Sequence, residues 1–150
     1  MKITFKGDYA LKAVLDLAMY YDKPQSVDEI SKRQDIPYKF LEQILLQLKK
    51  GRFVKSLRGR NGGYVLAHKP AQITLGQIVR FVDGPVEPIS CAFAAKPSPC
   101  NYSGNCVLRE VFCDIGKMIA EKVDNITFEN LKERQKKNIA KTKKYLDYSI

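Results

Sequence analysis

All four cysteines of this chain fall in one stretch, CAFAAKPSPCNYSGNCVLREVFC, at positions 91, 100, 106 and 113. Thiolates are soft ligands that suit zinc, copper(I) and iron–sulfur clusters, and clustered thiols also serve as redox sensors. Eight residues separate Cys91 from Cys100 and five separate Cys100 from Cys106, so no C-x-x-C pair points to a zinc finger or ribbon. If a helix begins near Cys106, Cys113 lies two turns on at about 10 Å, on the same face but too distant for one small cluster. It is expected to pack as a small hydrophobe. Cys91, Cys100 and Cys106 remain as a three-thiolate site that a carboxylate, a water or a partner group must complete. Uncoordinated loop thiols, or a disulfide between a pair such as Cys91 and Cys100, are the metal-free alternatives. The only histidine, His68, is expected on the surface near a hairpin.

The surrounding chain bounds the chemistry. Its 150 residues make about one domain, enough to bury a single core without disulfides. A formal charge of +10 with 45% hydrophobic residues describes a folded basic protein, whose expected partner is a polyanion. Lys2, Lys6, Asp8 and Lys12 interrupt the N-terminus, and no run approaches the roughly 20 apolar residues of a membrane span. A cytoplasmic location without membrane partners is therefore expected, where reducing conditions favour metal ligands or sensors over structural disulfides. No paired acid–base groups and no nucleotide-binding loop are present, which argues against an enzyme.

The elements that must position the cysteines follow from periodicity. Leu11, Val14, Leu15, Ala18 and Met19 recur at helical spacing, giving a first helix over Asp8–Tyr21. Ser26 and Glu29 form a capping box ahead of a short helix, about Val27–Arg33. Asp35-Ile36-Pro37 makes a tight turn, with Pro37 suited to the first position of a third helix ending at Lys50. That helix buries Phe40 or Leu41, with Ile44, Leu45 and Leu48. Arg52–Leu57 and Tyr64–Leu66, joined by a Gly-rich turn, read as a hairpin. Thr74 starts another short helix with Leu75, Ile78, Val79 and Val82 on its apolar side. Leu108, Val111, Ile115, Met118, Ile119 and Val123 then alternate in steps of three and four, which suits a core helix or, more sharply, a dimer helix. The expected fold is mainly α with a small β wing: a winged helix-turn-helix domain over residues 1–84, a cysteine-containing sensor loop over 85–105, a dimerisation helix over 106–125 and a basic, partly helical tail over 126–150.

Helix, short turn, helix and hairpin make a winged helix-turn-helix, whose second helix enters a major groove. Six basic residues and no acid lie between Lys49 and Arg60, a cluster that would give salt-dependent affinity for phosphates. Base choice would rest on Lys39, Glu42 and Gln43. Arg58 and Arg60 around Gly59 suit a narrow minor groove. A winged helix that binds RNA, or a wing that only packs against protein, is the alternative.

The segments MKITFKGDYALKAVLDLA, DIPYKFLEQILLQLKKGRFVKSLRGRNGGYVLA and TLGQIVRFVDGPVEPISC resemble the bacterial winged-helix regulators typified by IscR, NsrR and CymR, over about residues 1–125. The resemblance implies a homodimeric transcription factor, here a repressor, that binds a double-stranded DNA operator through Lys39, Phe40, Glu42, Gln43, Arg58 and Gly59. It also implies an iron–sulfur cluster, 2Fe–2S ahead of 4Fe–4S, on Cys91, Cys100 and Cys106. Two departures stand out: the first cysteine gap is longer than in IscR, and Arg109 stands where IscR-like members carry histidine. A guanidinium cannot ligate iron. NsrR-like members use a carboxylate from the first helix, which here is Asp8 of the partner subunit, with Glu110 and water as rivals; Asp8 also suits a helix N-cap. A CymR-like member would need no metal and would respond through thiols or a partner protein. An electron carrier and a zinc-sensing module complete the alternatives.

Overall fold

The computed structural model of the chain describes residues 3–89, Cys91 and 105–147, with side chains described to residue 142; the expected ligand Cys100 lies outside the described residues. The elements among the described residues are α1 (Phe5–Met19), α2 (Val27–Gln34), α3 (Tyr38–Lys50), β1 (Val54–Leu57), β2 (Gly63–Leu66), α4 (Leu75–Asp83), α5 (Val107–Asp124) and α6 (Phe128–Asp147), with a 3-10 turn at Pro70–Gln72. This is the mainly α, winged-helix arrangement that the periodicity predicts.

Local chemistry sets the boundaries. Thr4 caps α1, its hydroxyl accepting from Gly7 N at 3.0 Å, so the helix begins three residues before the expected Asp8. Asp8 is therefore not the N-cap; it lies in the first turn and pairs with Lys12 at 2.7 Å. The capping box on α2 is formed as expected: Glu29 N donates to Ser26 Oγ at 3.2 Å and Ser26 N to Glu29 Oε2 at 2.8 Å. These bonds to Ser26 hold the Glu29 carboxyl below its ordinary range. Pro37 is the N-cap of α3 and not its first residue, so the helix starts at Tyr38, one residue later than expected.

Leu41, not Phe40, takes the inward place on α3, beside Ile44, Leu45 and Leu48. They pack with Ala10, Ala13, Val14 and Leu17 of α1, Ile30 of α2, Val54 and Leu66 of the hairpin, and Ile78 of α4. The hairpin is antiparallel, in register from Val54 opposite Leu66 to Leu57 opposite Gly63. Its first strand starts two residues later than expected, after Arg52 turns the chain with φ 62°. Gly63 is required by close approach: a Cβ there would lie 2.6 Å from the Gln25 carbonyl oxygen, where Gln25 and Tyr64 exchange backbone hydrogen bonds of 3.0 and 2.8 Å.

The segment after α5 does more than extend a tail. Leu75 N donates to Ile126 O at 2.8 Å and Phe128 N to Ile73 O at 2.9 Å, which pins the start of α6 to the entry of α4. Phe128, fully buried, then completes the winged-helix core.

Candidate nucleic-acid interface and thiol site

The N-terminal half of α3 presents Tyr38, Lys39, Phe40, Glu42 and Gln43 outward, because Leu41, Ile44 and Leu45 occupy its inward stripe. Phe40 is 60% exposed, a large apolar ring in solvent next to polar groups able to read base edges. At the wing tip Arg58, Gly59, Arg60 and Asn61 are all exposed, and Gly59 adopts φ 109°, a conformation that favours glycine. The structure thus places all seven DNA-binding candidates on the solvent-facing side of α3 or at the wing tip.

One supporting network went unread in the sequence. Asp16, on α1, is 1% exposed and accepts from Arg33 Nε at 3.0 Å, Arg33 Nη2 at 2.7 Å and Gln34 Nε2 at 2.9 Å. Arg33 also donates to Gln25 Oε1 at 2.7 Å and lies over the Tyr20 ring. Its hydrogen bonding to Asp16 raises its pKa further, so the guanidinium stays charged. Since Gln25 pairs with Tyr64 of β2, the network ties the helix-turn-helix to the wing root. Tyr64 is itself pushed up, first by burial and then by the nearby Glu42 carboxylate. The only available signal was an acid set within the apolar pattern Leu15-Asp16-Leu17.

At the cysteine site, Cys106 is the N-cap of α5 and is half-buried. Arg109, one turn on, donates from Nε to the Cys91 carbonyl at 2.9 Å. The residue that sequence reasoning treated only as a missing ligand therefore closes the base of the cysteine loop. A hollow of about 520 Å³ opens there, lined by Cys106, Arg109, Glu110, Cys113, Asp114 and Lys117. Cys113 is half-buried against that polar hollow, which differs from the expected apolar packing. His68 is exposed, as expected. Among the described residues no three His, Cys, Asp or Glu side chains form a metal-binding group, so Asp8 does not join Cys91 and Cys106 in one there. The donor chemistry is nonetheless suited to a soft metal centre: two thiols flank one loop whose ends Arg109 joins.

The site meets the reader through α4. Arg80 donates to both Asp124 oxygens, at 2.5 and 2.9 Å, and Gly76 allows α5 to approach closely at Val123 and Asp124. Asp83 at the other end of α4 accepts from Thr4 N at 3.0 Å and Thr4 Oγ1 at 2.5 Å, over the start of α1. The exposed face of α5 carries Leu108 (67% exposed), Val111 (48%), Ile115 (38%) and Met118 (69%), so only the Val123 end of the expected seam is buried within the chain.

Comparison with known proteins matches residues 3–134 to Rrf2, described as an iron-dependent transcriptional regulator. The chain is similar to a putative rrf2-like regulator of Rhodobacter capsulatus, 38% identical over 136 residues that cover 86% of this chain and 91% of that one. It is also similar to the regulator IscR of Sodalis glossinidius, 36% identical over 132 residues, 87% and 78% of the two chains. Among solved structures, CymR of B. subtilis superposes with a TM-score of 0.75 at 32% identity, covering 89% of this chain and 98% of that one. IscR of T. potens gives 0.72 at 30%, covering 90% and 88%. The chain belongs to the Rrf2 family of winged-helix transcriptional regulators.

Proposed function

We propose that this regulator is a homodimeric repressor whose occupancy of a DNA operator is set by an iron–sulfur cluster held by Cys91, Cys100 and Cys106. The observation that carries the reading is the Arg109 bond to the Cys91 carbonyl, which joins the two ends of the cysteine loop at the first turn of α5. The likeness to IscR in sequence and structure supports the cofactor class, 2Fe–2S ahead of 4Fe–4S. Asp8 of the partner subunit is the assigned fourth ligand; within its own chain that side chain is about half exposed and pairs with Lys12 at 2.7 Å. When bound, the cluster supplies a redox- and nitric-oxide-sensitive group. The chain's own residues do the rest. Leu108, Val111, Ile115 and Met118 pack against the same residues of a second copy. Arg80 and Asp124 carry a change in the set of α5 to α4. Asp83 carries it on to α1, altering the spacing of the two α3 helices on their half-sites.

Lys39, Glu42 and Gln43 read base edges beside Phe40, while Arg58, Gly59 and Arg60 follow the minor groove. Lys39→Ala and Glu42→Ala then change operator preference, each by about 1 to 3 kcal/mol of discrimination, whereas Arg58→Ala weakens binding broadly and spares A-tract-poor sites. The test of the sensor is Cys106→Ala: iron and sulfide content and operator affinity both change. Unchanged values for the two together refute the mechanism. The CymR likeness favours a second reading, a thiol switch without metal, in which the same variant alters DNA binding in a colourless protein.

A further inference from the structure

The outward face of α3 carries an apolar side chain, Leu46, that neither the core nor the base-reading set accounts for. Leu46 is 48% exposed and belongs neither to the core cluster nor to the partly buried side chains packed against it. Its direction follows from helix geometry. Leu41, Ile44, Leu45 and Leu48 are the buried stripe of α3, and at roughly 100° per residue Leu46 points about 150° away from their mean. Lys39, Glu42, Gln43 and Leu46 stand at positions i, i+3, i+4 and i+7, the repeat that lines side chains along one helical face, and all four are exposed. Leu46 is therefore the next member of the stripe whose first three residues are assigned to base edges. Lys49 and Lys50, both exposed, follow it one turn on, at the helix end. Phe40 lies to one side of the stripe: with Phe5, Tyr9 and Ile44 it lines a hollow of about 580 Å³ between α1 and α3.

We infer that Leu46 is a specificity-determining residue whose side chain packs on the 5-methyl group of one thymine in each operator half-site. The inference rests on the DNA reading under Proposed function and deepens it, naming a base selected by a residue outside the polar readers. Among the groups that base edges show in the major groove, the thymine methyl is the apolar one, and the rest are hydrogen-bond donors and acceptors. An aliphatic side chain set against a donor or acceptor strips its water and returns no hydrogen bond. The residue that favours thymine at this position thus also disfavours adenine, guanine and cytosine there.

The test uses an operator selected with wild-type protein from random-sequence DNA, in which thymines are replaced by uracil in pairs, one in each half-site. Each replacement removes a methyl group and leaves every hydrogen-bonding group of the base edge in place. One pair is expected to weaken wild-type binding by about fourfold per methyl, or about fifteenfold in all, the loss of one buried methyl contact on each side. Leu46→Ala is expected to bind the thymine operator about as weakly as wild type binds that uracil form, and to lose no further affinity on the replacement. It also melts within about 3 °C of wild type, because the side chain is 48% exposed and alanine suits a helix, so its weaker binding is not unfolding. Wild-type protein that binds its operator yet tolerates every replacement within about twofold overturns this inference and leaves the DNA reading standing. A methyl penalty that persists in Leu46→Ala overturns it as well, and its disappearance in Phe40→Ala then assigns the methyl to the aromatic ring. A shift of Leu46→Ala toward monomer in sedimentation, with thymine preference intact, assigns the side chain to a contact between copies and overturns it too. Failure of the selection to return any duplex that wild-type protein binds overturns the DNA reading and this inference together.

Discussion

Replacing Asp16 or Arg33 tests whether a buried polar network holds the reader to its wing. Asp16→Ala removes an acceptor that is 1% exposed and receives three hydrogen bonds, two of them from a guanidinium. Charge-assisted bonds contribute about 1.5 to 3 kcal/mol each in net terms, and breaking a buried pair by removing one partner costs about 3 to 5 kcal/mol. The Arg33 side chain is 28% exposed and keeps Gln25 and the Tyr20 face, so after loss of Asp16 it is partly rehydrated. The expected destabilisation of Asp16→Ala is therefore about 2 to 4 kcal/mol. Arg33→Ala strands the carboxylate with only Gln34, in a place water hardly reaches, and is expected to cost more, about 3 to 5 kcal/mol. At this chain length those losses lower the melting temperature by roughly 6 to 15 °C. The double variant should be destabilised by about 2 kcal/mol less than the sum of the two, because the second removal deletes a charge already without its partner. Urea unfolding of the four proteins closes the cycle. Single losses below about 1 kcal/mol, or an additive double variant, would refute the reasoning.

Other perturbations address other joints. Phe128→Ala should destabilise the winged-helix core by about 3 to 5 kcal/mol in urea unfolding, because its ring is fully buried in the core cluster, on a helix that packs against α1 and the 3-10 turn. In the proposed dimer, Met118→Glu should shift the protein toward monomer in sedimentation while leaving the monomer folded, since Met118 is 69% exposed in the single chain. The Arg80 guanidinium holds Asp124 below the usual carboxylate range, and Ser26 does the same for Glu29. Unfolded, both carboxyls return to values near 4, so the unfolded chain takes up more protons and stability falls as pH drops from about 5 through the folded values. Asp124→Asn should flatten that acid limb slightly, the group being about half exposed and solvent-screened.

Much of the reader was legible because its determinants are local. Ser26-Val27-Asp28-Glu29 contains its own cap, and the inward stripe of α3 repeats at helical spacing, leaving only Phe40 against Leu41 to be settled by packing. The expected start of α1 at Asp8 was late because Thr4 draws part of its role from Asp83, 79 residues away. Phe128 was missed for a similar reason: a basic stretch after Asp124 looks like a solvated tail until Ile126 and Phe128 pair with the backbone of Leu75 and Ile73. Arg109 shows the opposite limit. Its guanidinium chemistry set it aside as an iron ligand, but nothing in spacing tells that it reaches back 18 residues to the Cys91 carbonyl. Arg52 was counted as one charge among six, and only its φ separates it from its neighbours.

The most direct test of the central claim is the operator affinity of protein purified without oxygen, measured before and after removal of its iron and sulfide, with both assayed on the same sample. The account predicts a coloured protein with stoichiometric iron and sulfide, whose affinity changes by at least about tenfold on stripping, within the usual range of coupling between two sites. A protein that stays colourless after anaerobic reconstitution, or one that binds its operator equally well with and without the cluster, would contradict it.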